Sequence, residues 1–144
     1  MLVEMDYDAY HLRLIGDVVD YKFPNGSVHE HMSKFYGCDY EESKKLSLQY
    51  LYGYILHEIS QIDPFFCRVE EYIKELWKSY KSKDFILSDI YSKRIYRNNL
   101  TDMNANKLFN HTIQLMETEN NMKALSELIP KIKDYKSKLI LYSY

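Results

Sequence analysis

Several kinds of feature are scarce or missing in this sequence, and each absence excludes a class of protein. Only two cysteines occur among the 144 residues, and Cys38 and Cys67 have no paired spacing. A disulfide framework is therefore excluded, and reduced thiols inside a cell are favoured. No apolar run approaches the roughly 18 residues of a membrane span, and no basic stretch precedes an apolar run at the N-terminus. We therefore expect neither a membrane partner nor a signal peptide.

The chain also lacks an excess of positive charge. It has 19 lysines and arginines against 21 aspartates and glutamates, a net charge of −2. Nucleic-acid binding would therefore have to come from local basic patches, such as the lysines of 74–83 and the basic residues of 93–97, which can equally be solvated surface. With 46% hydrophobic residues, the chain can bury a core. At this length it is one domain or a piece of one.

Periodicity and turn residues predict a mostly helical α+β chain. A short strand is expected to carry Asp6 at its end, and Ser27, Gly37 and the pair Asp63-Pro64 mark helix boundaries. The predicted helices cover about 9–19, 28–36, 39–54, 64–81, 104–119 and 121–135, the last interrupted or kinked by Pro130. A hairpin is predicted over 84–96, with Phe85-Ile86-Leu87 and Ile90-Tyr91 flanking its turn at Ser88-Asp89. A final strand is predicted over 139–144.

Some local patterns allow two interpretations on their own. An aspartate after an apolar strand, such as Asp6, is more often a helix cap or turn residue than a metal ligand. His57-Glu58 begins a zinc-protease pattern, but position 61 is glutamine, so that class is not expected. His29 and His31 point about 200° apart on a helix, so we predict surface histidines rather than a metal pair.

Five segments, in order, resemble the motifs of family-A DNA polymerases, and most closely those of phage-like members. They are Asp6-Tyr7-Asp8-Ala9-Tyr10-His11-Leu12-Arg13 for motif A, Val28-His29 with Phe35-Tyr36-Gly37 for the segment that follows it, Lys44 to Gly53 for motif B, Asn110 to Gln114 for the helix along the minor groove, and Leu139 to Tyr144 for the strand entering motif C. The resemblance covers essentially the whole chain.

The resemblance implies a fold in which fingers helices are inserted between palm strands, with an incomplete palm. The implied parts are a palm strand and helix at 1–23, fingers at about 27–100, and a palm helix with the start of the motif C strand at about 104–144. The implied activity is template-directed DNA synthesis, with transfer of a nucleotide from a dNTP to a primer 3′-hydroxyl. Two Mg2+ ions about 4 Å apart would stabilise the attacking and leaving oxygens.

The resemblance also implies roles for single residues. Asp6 and the backbone carbonyl of Tyr7 would bind magnesium, and Lys44 would neutralise the triphosphate and protonate the leaving pyrophosphate. The incoming nucleotide would contact Tyr7, His11, Lys44, Leu48 and Tyr52, with His11 beside its sugar. Primer-template DNA would contact Tyr52, Gly53, Asn110 and Gln114, the last two in the minor groove, where every base pair presents acceptors. Arg13 is expected to brace the motif A helix.

The chain departs from the family pattern at several positions. Tyr40 stands where an arginine is common, Leu48 where an aromatic residue is common, and Asn106 where relatives often have arginine. The motif C aspartate would follow Tyr144, so this chain by itself is expected to lack turnover. We expect a monomeric part of a longer polymerase in the cytoplasm of a bacterial host. The alternative is a non-catalytic helical module that binds DNA or another protein.

Overall fold

The computed structural model describes residues 7–83, 85–88, 90–97, 101–133 and 135–136, and these are mostly helical. The elements, in chain order, are α1 (Tyr10–Val18), α2 (Val28–Tyr36), α3 (Tyr40–Tyr52), α4 (His57–Ile62), α5 (Pro64–Ser82), β1 (Phe85–Leu87), β2 (Arg94–Tyr96) and α6 (Ala105–Ile132). Helices with a small antiparallel sheet agree with the predicted α+β class. None of the helices in these ranges is long and apolar enough to cross a membrane. The strands predicted around Asp6 and over 139–144 lie outside the described residues.

Local capping chemistry explains the boundaries of α2 and α3. The Ser27 hydroxyl accepts a hydrogen bond from the Glu30 backbone N–H, and Gly37 ends α2 in the left-handed conformation, with φ of 65°. Asp39 then caps α3 by accepting from the Glu42 backbone N–H at 2.9 Å. These side chains satisfy backbone groups that a helix end leaves unpaired. The predicted boundaries of α2 are confirmed, and those of α3 agree to within two residues.

The core lies between α6 and the helices that pack on it, α1 and α5. Its fully buried members come from five helices, which shows that the helices form one packed unit. They are Leu12, Ile15, Val28, Met32, Leu51, Phe65, Phe66, Val69, Phe109, Ile113 and Met116. A smaller cluster of Tyr80, Ile86 and Leu108 joins the hairpin to α5 and α6. The apolar side chains of α5 belong to these two clusters, among them Phe66, Val69, Tyr72, Ile73 and Trp77.

Two small polar residues let α2 and α3 approach each other closely. Ser43 and Ser47 are fully buried, and the Ser43 hydroxyl donates to the His29 carbonyl oxygen at 2.7 Å. The Ser47 hydroxyl lies 3.3 Å from the Tyr36 hydroxyl. The face of α3 that carries Ser43, Ser47, Tyr50 and Leu51 is therefore buried, and the opposite face remains exposed.

The break predicted near residue 120 is wrong, because α6 runs without interruption from Ala105 to Ile132. The polar pair at its centre makes contacts instead of ending the helix. Asn120 donates from Nδ2 to the Tyr10 hydroxyl oxygen at 2.9 Å, and the Tyr10 hydroxyl donates to Asn121 Oδ1 at 3.3 Å. Of the two effects predicted for Pro130, an interruption or a kink, the interruption is wrong, since the helix continues for two residues beyond it.

The hairpin is confirmed, but its predicted second strand is wrong. Strand β2 is Arg94–Tyr96, and Ile90 and Tyr91 lie in the turn. The turn is closed by the Ser88 N–H, which donates to the Lys93 carbonyl at 2.9 Å. It is fastened to α6 because Glu119, only 4% exposed, accepts from the backbone N–H groups of Ile90 and Tyr91.

Helix α4 was not predicted. It has six residues, and its first flanking residue, Leu56, makes no side-chain cap, so the usual signal of a helix start is missing. His57 and Glu58 are the first two residues of α4, and both are exposed. Asp63 ends α4 and caps α5, where its Oδ1 accepts from the Phe65 N–H at 2.9 Å.

Candidate functional site

Helices α1 and α3 meet through His11 and Tyr52, two residues with predicted nucleotide contacts. His11 lies in the first turn of α1, and Tyr52 is the last residue of α3. The Tyr52 hydroxyl oxygen is 2.5 Å from His11 Nδ1, and the two rings meet edge to face, with centroids 5.6 Å apart. The fold therefore brings together residues from the segments that resemble motif A and motif B, which are 41 positions apart in the sequence.

Helix α6 adds a carboxylate on the other side of the His11 ring. Glu117 Oε2 lies 3.0 Å from His11 Nε2, although the ring N–H does not point at the oxygen well enough for a hydrogen bond. Burial, together with the Glu117 charge, raises the pKa of Tyr52 to about 12, so its hydroxyl keeps its proton. We therefore assign the Tyr52 hydroxyl as the donor and His11 Nδ1 as the acceptor.

Two asparagines of α6 hold the C-terminal end of α3. Asn110 donates from Nδ2 to the Tyr52 carbonyl, and Asn106 donates to the Gly53 carbonyl, both at 2.9 Å. A side chain at Gly53 would place its Cβ 2.6 Å from the Gln49 carbonyl oxygen. The backbone at the end of α3 therefore requires glycine at this position. We call the contact of α1, α3 and α6 through His11, Tyr52, Asn110 and Glu117 the junction.

The predicted DNA contacts on α6 differ in their surroundings. Asn110 has its amide donor engaged at the Tyr52 carbonyl, and its Oδ1 is buried without a hydrogen-bond partner among the described atoms. Gln114, one turn later, is exposed. Gln114 is therefore the one of the two whose side chain lies at the surface. Asn110 positions the end of α3 in this structure.

Four residues of α3 follow one another at intervals of four and form one stripe, which lies mostly on the exposed face of the helix: Tyr40, Lys44, Leu48 and Tyr52. Lys44 is exposed and makes no ion pair with any carboxylate in the described ranges. Leu48 and Tyr40 are 38% and 40% exposed, respectively, and Tyr52 is half-buried at the junction. The stripe thus leads from an exposed cation to the polar contacts of the junction.

His29 lies beneath this stripe, and its predicted surface position is wrong. It is 5% exposed, and its ring meets that of Tyr40 edge to face with centroids 5.8 Å apart. Burial is the main cause that lowers the pKa of His29. The Asp8 charge opposes this effect, and the Lys44 charge adds to it. The buried Nδ1 of His29 has no hydrogen-bond partner among the described atoms.

Arg13, expected to brace the helix that begins after Ala9, joins that helix to the segment before it and to the loop after it. It donates from Nη2 to the Asp8 carboxylate at 2.8 Å and to the Gly26 carbonyl at 3.0 Å. Tyr7 stacks on Tyr10, with ring centroids 4.7 Å apart. A shallow cavity of about 360 Å3 lies beside these residues and is lined by Tyr7, Asp8, Tyr10, Arg13, Leu14, Asp17 and Asn120.

The predicted magnesium site rests on residues that the structure covers only in part. Asp6 lies outside the described residues, and Tyr7 begins them. Within the described ranges, no group of three carboxylate, histidine or cysteine side chains could hold a metal ion. Asp8, two positions after Asp6, pairs with Arg13. The described donors therefore do not make a magnesium site, and the predicted ions would depend on Asp6.

Glu117 is a site residue that sequence reasoning missed, although a signal for it is present. Asn110, Gln114, Glu117 and Asn121 recur at helical spacing and form one polar stripe on α6. A polar stripe on a helix that is otherwise packed in the core indicates partners on another element.

Comparison of the chain with protein-family models, with curated proteins and with solved structures found no match.

Proposed function

We propose that this chain binds primer-template DNA and an incoming dNTP as the palm and fingers part of a template-directed DNA polymerase. In this proposal, residues 1–23 belong to the palm, about 27–100 to the fingers, and about 104–144 to the palm again. The catalysed reaction would be nucleotidyl transfer to a primer 3′-hydroxyl with magnesium supplied through Asp6. We also propose that the protein acts as a monomer in the cytoplasm of a bacterial cell, as a phage protein would.

The observation that supports this function best is the junction itself. Three sequence motifs, chosen separately for their resemblance, contribute His11, Tyr52 and Asn110. These residues meet through hydrogen bonds of 2.5 Å and 2.9 Å. The two contacts join positions 41 and 58 residues apart, so the fold brings these three predicted contact residues to one place. Convergence of this kind is what a binding site built from several elements requires.

The exposed stripe of α3 has the chemistry and length for a nucleotide. Lys44 and Tyr52 are eight positions apart, so about 12 Å of helix rise separates them. An extended nucleoside triphosphate spans a comparable distance, with its phosphates at one end and its base at the other. Lys44 would neutralise the phosphates, Leu48 would contact the sugar, and the Tyr52 ring would contact the base pair.

Binding of a matched nucleotide tests this proposal without requiring turnover. A fluorescein-labelled primer-template with a dideoxy 3′ end would be titrated with the full chain in Mg2+, alone and with each of the four dNTPs. We expect the complementary dNTP to tighten DNA binding by about tenfold, which corresponds to about 1.4 kcal/mol. Lys44→Ala should remove this gain, because the phosphates lose their cation.

Lys45→Ala is the matched control, since Lys45 is the next residue on the same helix, is also exposed, and points about 100° away. It should keep the full effect of the complementary dNTP. Equal loss in both variants, or an equal response to all four dNTPs, would contradict the proposal.

The second candidate is a non-catalytic DNA-binding module. It is favoured by the Asn110 amide, which donates to the Tyr52 carbonyl of this chain and not to a minor-groove acceptor. It predicts that the primer-template binds but that no dNTP changes the affinity. The same titration therefore separates the two functions.

A further inference from the structure

Positive charge is concentrated in one segment of this acidic chain. Residues 78–97 hold six cationic and two acidic residues, a net charge of +4, whereas the whole chain carries −2. The cations are Lys78, Lys81, Lys83, Lys93, Arg94 and Arg97, and all six are exposed. This asymmetry creates a local positive potential that the total charge conceals.

The fold brings the two halves of this segment together. Arg97 follows β2 and donates from Nη1 to the Lys81 carbonyl in the last turn of α5, at 3.1 Å. The Tyr80 hydroxyl donates to the Arg97 carbonyl at 3.4 Å. The cations at the end of α5 and those of the hairpin therefore share one surface, which we call the basic surface and define as the six cations with Phe85, Leu87 and Tyr96.

Aromatic rings lie among these cations. Trp77 and Tyr80 stack with centroids 5.6 Å apart, Lys81 Nζ lies 5.7 Å from the Trp77 ring centre, and the Arg97 guanidinium lies 5.9 Å from that of Tyr80. Such contacts hold the cations in place without neutralising them.

The outer face of the hairpin continues this arrangement. Ile86 pairs with Ile95 and faces the core, so the alternate residues Phe85, Leu87, Arg94 and Tyr96 share the other face. The Arg94 guanidinium lies 4.9 Å from the centre of the Phe85 ring. Tyr96 is 44% exposed, and Leu87 is 53% exposed. An exposed aromatic and apolar face bordered by cations results.

No acidic side chain in the described part of the protein pairs with these cations, because its three ion pairs all involve other residues. Solvated lysines on a helix would explain Lys78 and Lys81 alone. They would not explain why the hairpin adds three more cations beside exposed rings.

We propose that the basic surface binds single-stranded nucleic acid. The cations would contact successive phosphates, and the Tyr96 ring would stack on an unpaired base. A double-stranded ligand would find the cations but would offer no free base to the ring. This inference does not rest on the polymerase proposal, because it needs neither a dNTP nor the junction.

The experiment measures binding of fluorescein-labelled dT20 to the full chain over a range of KCl concentrations. The double variant Lys83→Ala, Lys93→Ala removes two cations that take part in none of these cation-π contacts. For a single strand, each phosphate contact adds about 0.7 to the magnitude of the negative slope of log K against log [KCl]. We therefore expect the double variant to reduce this magnitude by about 1.4. Tyr96→Ala should weaken binding about fivefold or more with the slope unchanged.

The matched control is Lys22→Ala, Lys34→Ala, which removes the same charge from exposed positions elsewhere. It should leave the slope as in the unmodified chain, and circular dichroism checks that all variants are folded. A matching dT20–dA20 duplex and rU20 are the comparison ligands. The proposal is overturned by no binding at 50 mM KCl, by equal slopes in the two double variants, or by tighter binding of the duplex than of dT20. Comparable binding of rU20 supports it and extends the ligand to RNA.

Discussion

The polar side chains of the junction have partners within this chain, whereas the cations of the basic surface have no carboxylate partner among the described residues. At the junction, Tyr52 and Asn110 bond to groups of this same chain, and a carboxylate faces His11. On the basic surface, six cations have no carboxylate partner within the described ranges, and the rings beside them are partly exposed. The junction therefore fixes the relative positions of three helices, whereas the cations and rings of the basic surface are available to contact another molecule.

The difference extends to how each region is held in the fold. The junction joins helices that share the main core. The hairpin of the basic surface is held by the small cluster around Ile86, by the hydrogen bonds of Arg97 with α5 and by one buried carboxylate of α6. Removing that carboxylate should therefore destabilise the hairpin more than the helices of the junction.

The largest effect is expected for Glu119→Ala. The Glu119 carboxylate is buried and accepts from the Ile90 and Tyr91 N–H groups at 3.1 Å and 3.4 Å. Losing it leaves two backbone donors without a partner, so we expect the free energy of unfolding to fall by about 2–3 kcal/mol. Urea denaturation measures the loss, and hydrogen exchange should show faster exchange of the Ile86 amide than of core amides in α6.

Glu127→Ala is the control on the same helix, because Glu127 is exposed. Its free energy of unfolding should stay within about 0.5 kcal/mol of the unmodified value. A similar loss in both variants would show that Glu119 does not anchor the hairpin.

The elements that were predicted well are those whose signals are local. Ser27, Gly37 and Asp39 satisfy backbone groups within a few residues of themselves, so α2 and α3 could be placed from sequence. The errors occur where a partner lies far away in the sequence. Asn120 suggested the end of a helix, but it bonds to Tyr10, 110 positions earlier. The turn of the hairpin similarly depends on Glu119, which follows it by 28 positions or more.

The candidate site follows the same rule. Lys44, Leu48 and Tyr52 could be placed on one stripe because helical spacing is regular. The contact of Glu117 with His11 could not be foreseen, because it depends on how α6 lies across α1. Spacing shows which residues share a face, but only packing shows what that face meets.

The next largest effect is expected for Asp63→Asn, at a buried carboxylate with one unpaired oxygen. Asp63 is fully buried, and its Oδ2 has no hydrogen-bond partner among the described atoms. Burial raises its pKa to about 6 from 3.8, while the Phe65 and Phe66 N–H groups oppose the shift. The folded state therefore binds this proton more tightly, so the contribution to stability is greatest below pH 4 and is lost as the pH rises through 6.

Asparagine keeps the cap but never ionises. We compare the free energy of unfolding of Asp63→Asn with that of the unmodified chain by urea denaturation at pH 4 and at pH 7.5. The difference should shift in favour of the variant by about 2 kcal/mol from the lower pH to the higher. Asp39→Asn is the control, because Asp39 caps α3 in the same way from an exposed position. A gain of equal size at Asp39, or a gain at Asp63 that does not depend on pH, would show that burial of the charge is not the cause.

The smallest effect is expected at the junction from Tyr52→Phe, which removes only the hydroxyl that donates to His11. We expect a loss of about 1 kcal/mol in the free energy of unfolding. A double-mutant cycle with His11→Phe should give a coupling of similar size, because the two side chains contact each other directly. Tyr54→Phe serves as control, since Tyr54 is 69% exposed and should tolerate the change within about 0.5 kcal/mol. A coupling near zero would mean that the junction is held by packing and the asparagines of α6, and its contrast with the basic surface would then be one of burial alone.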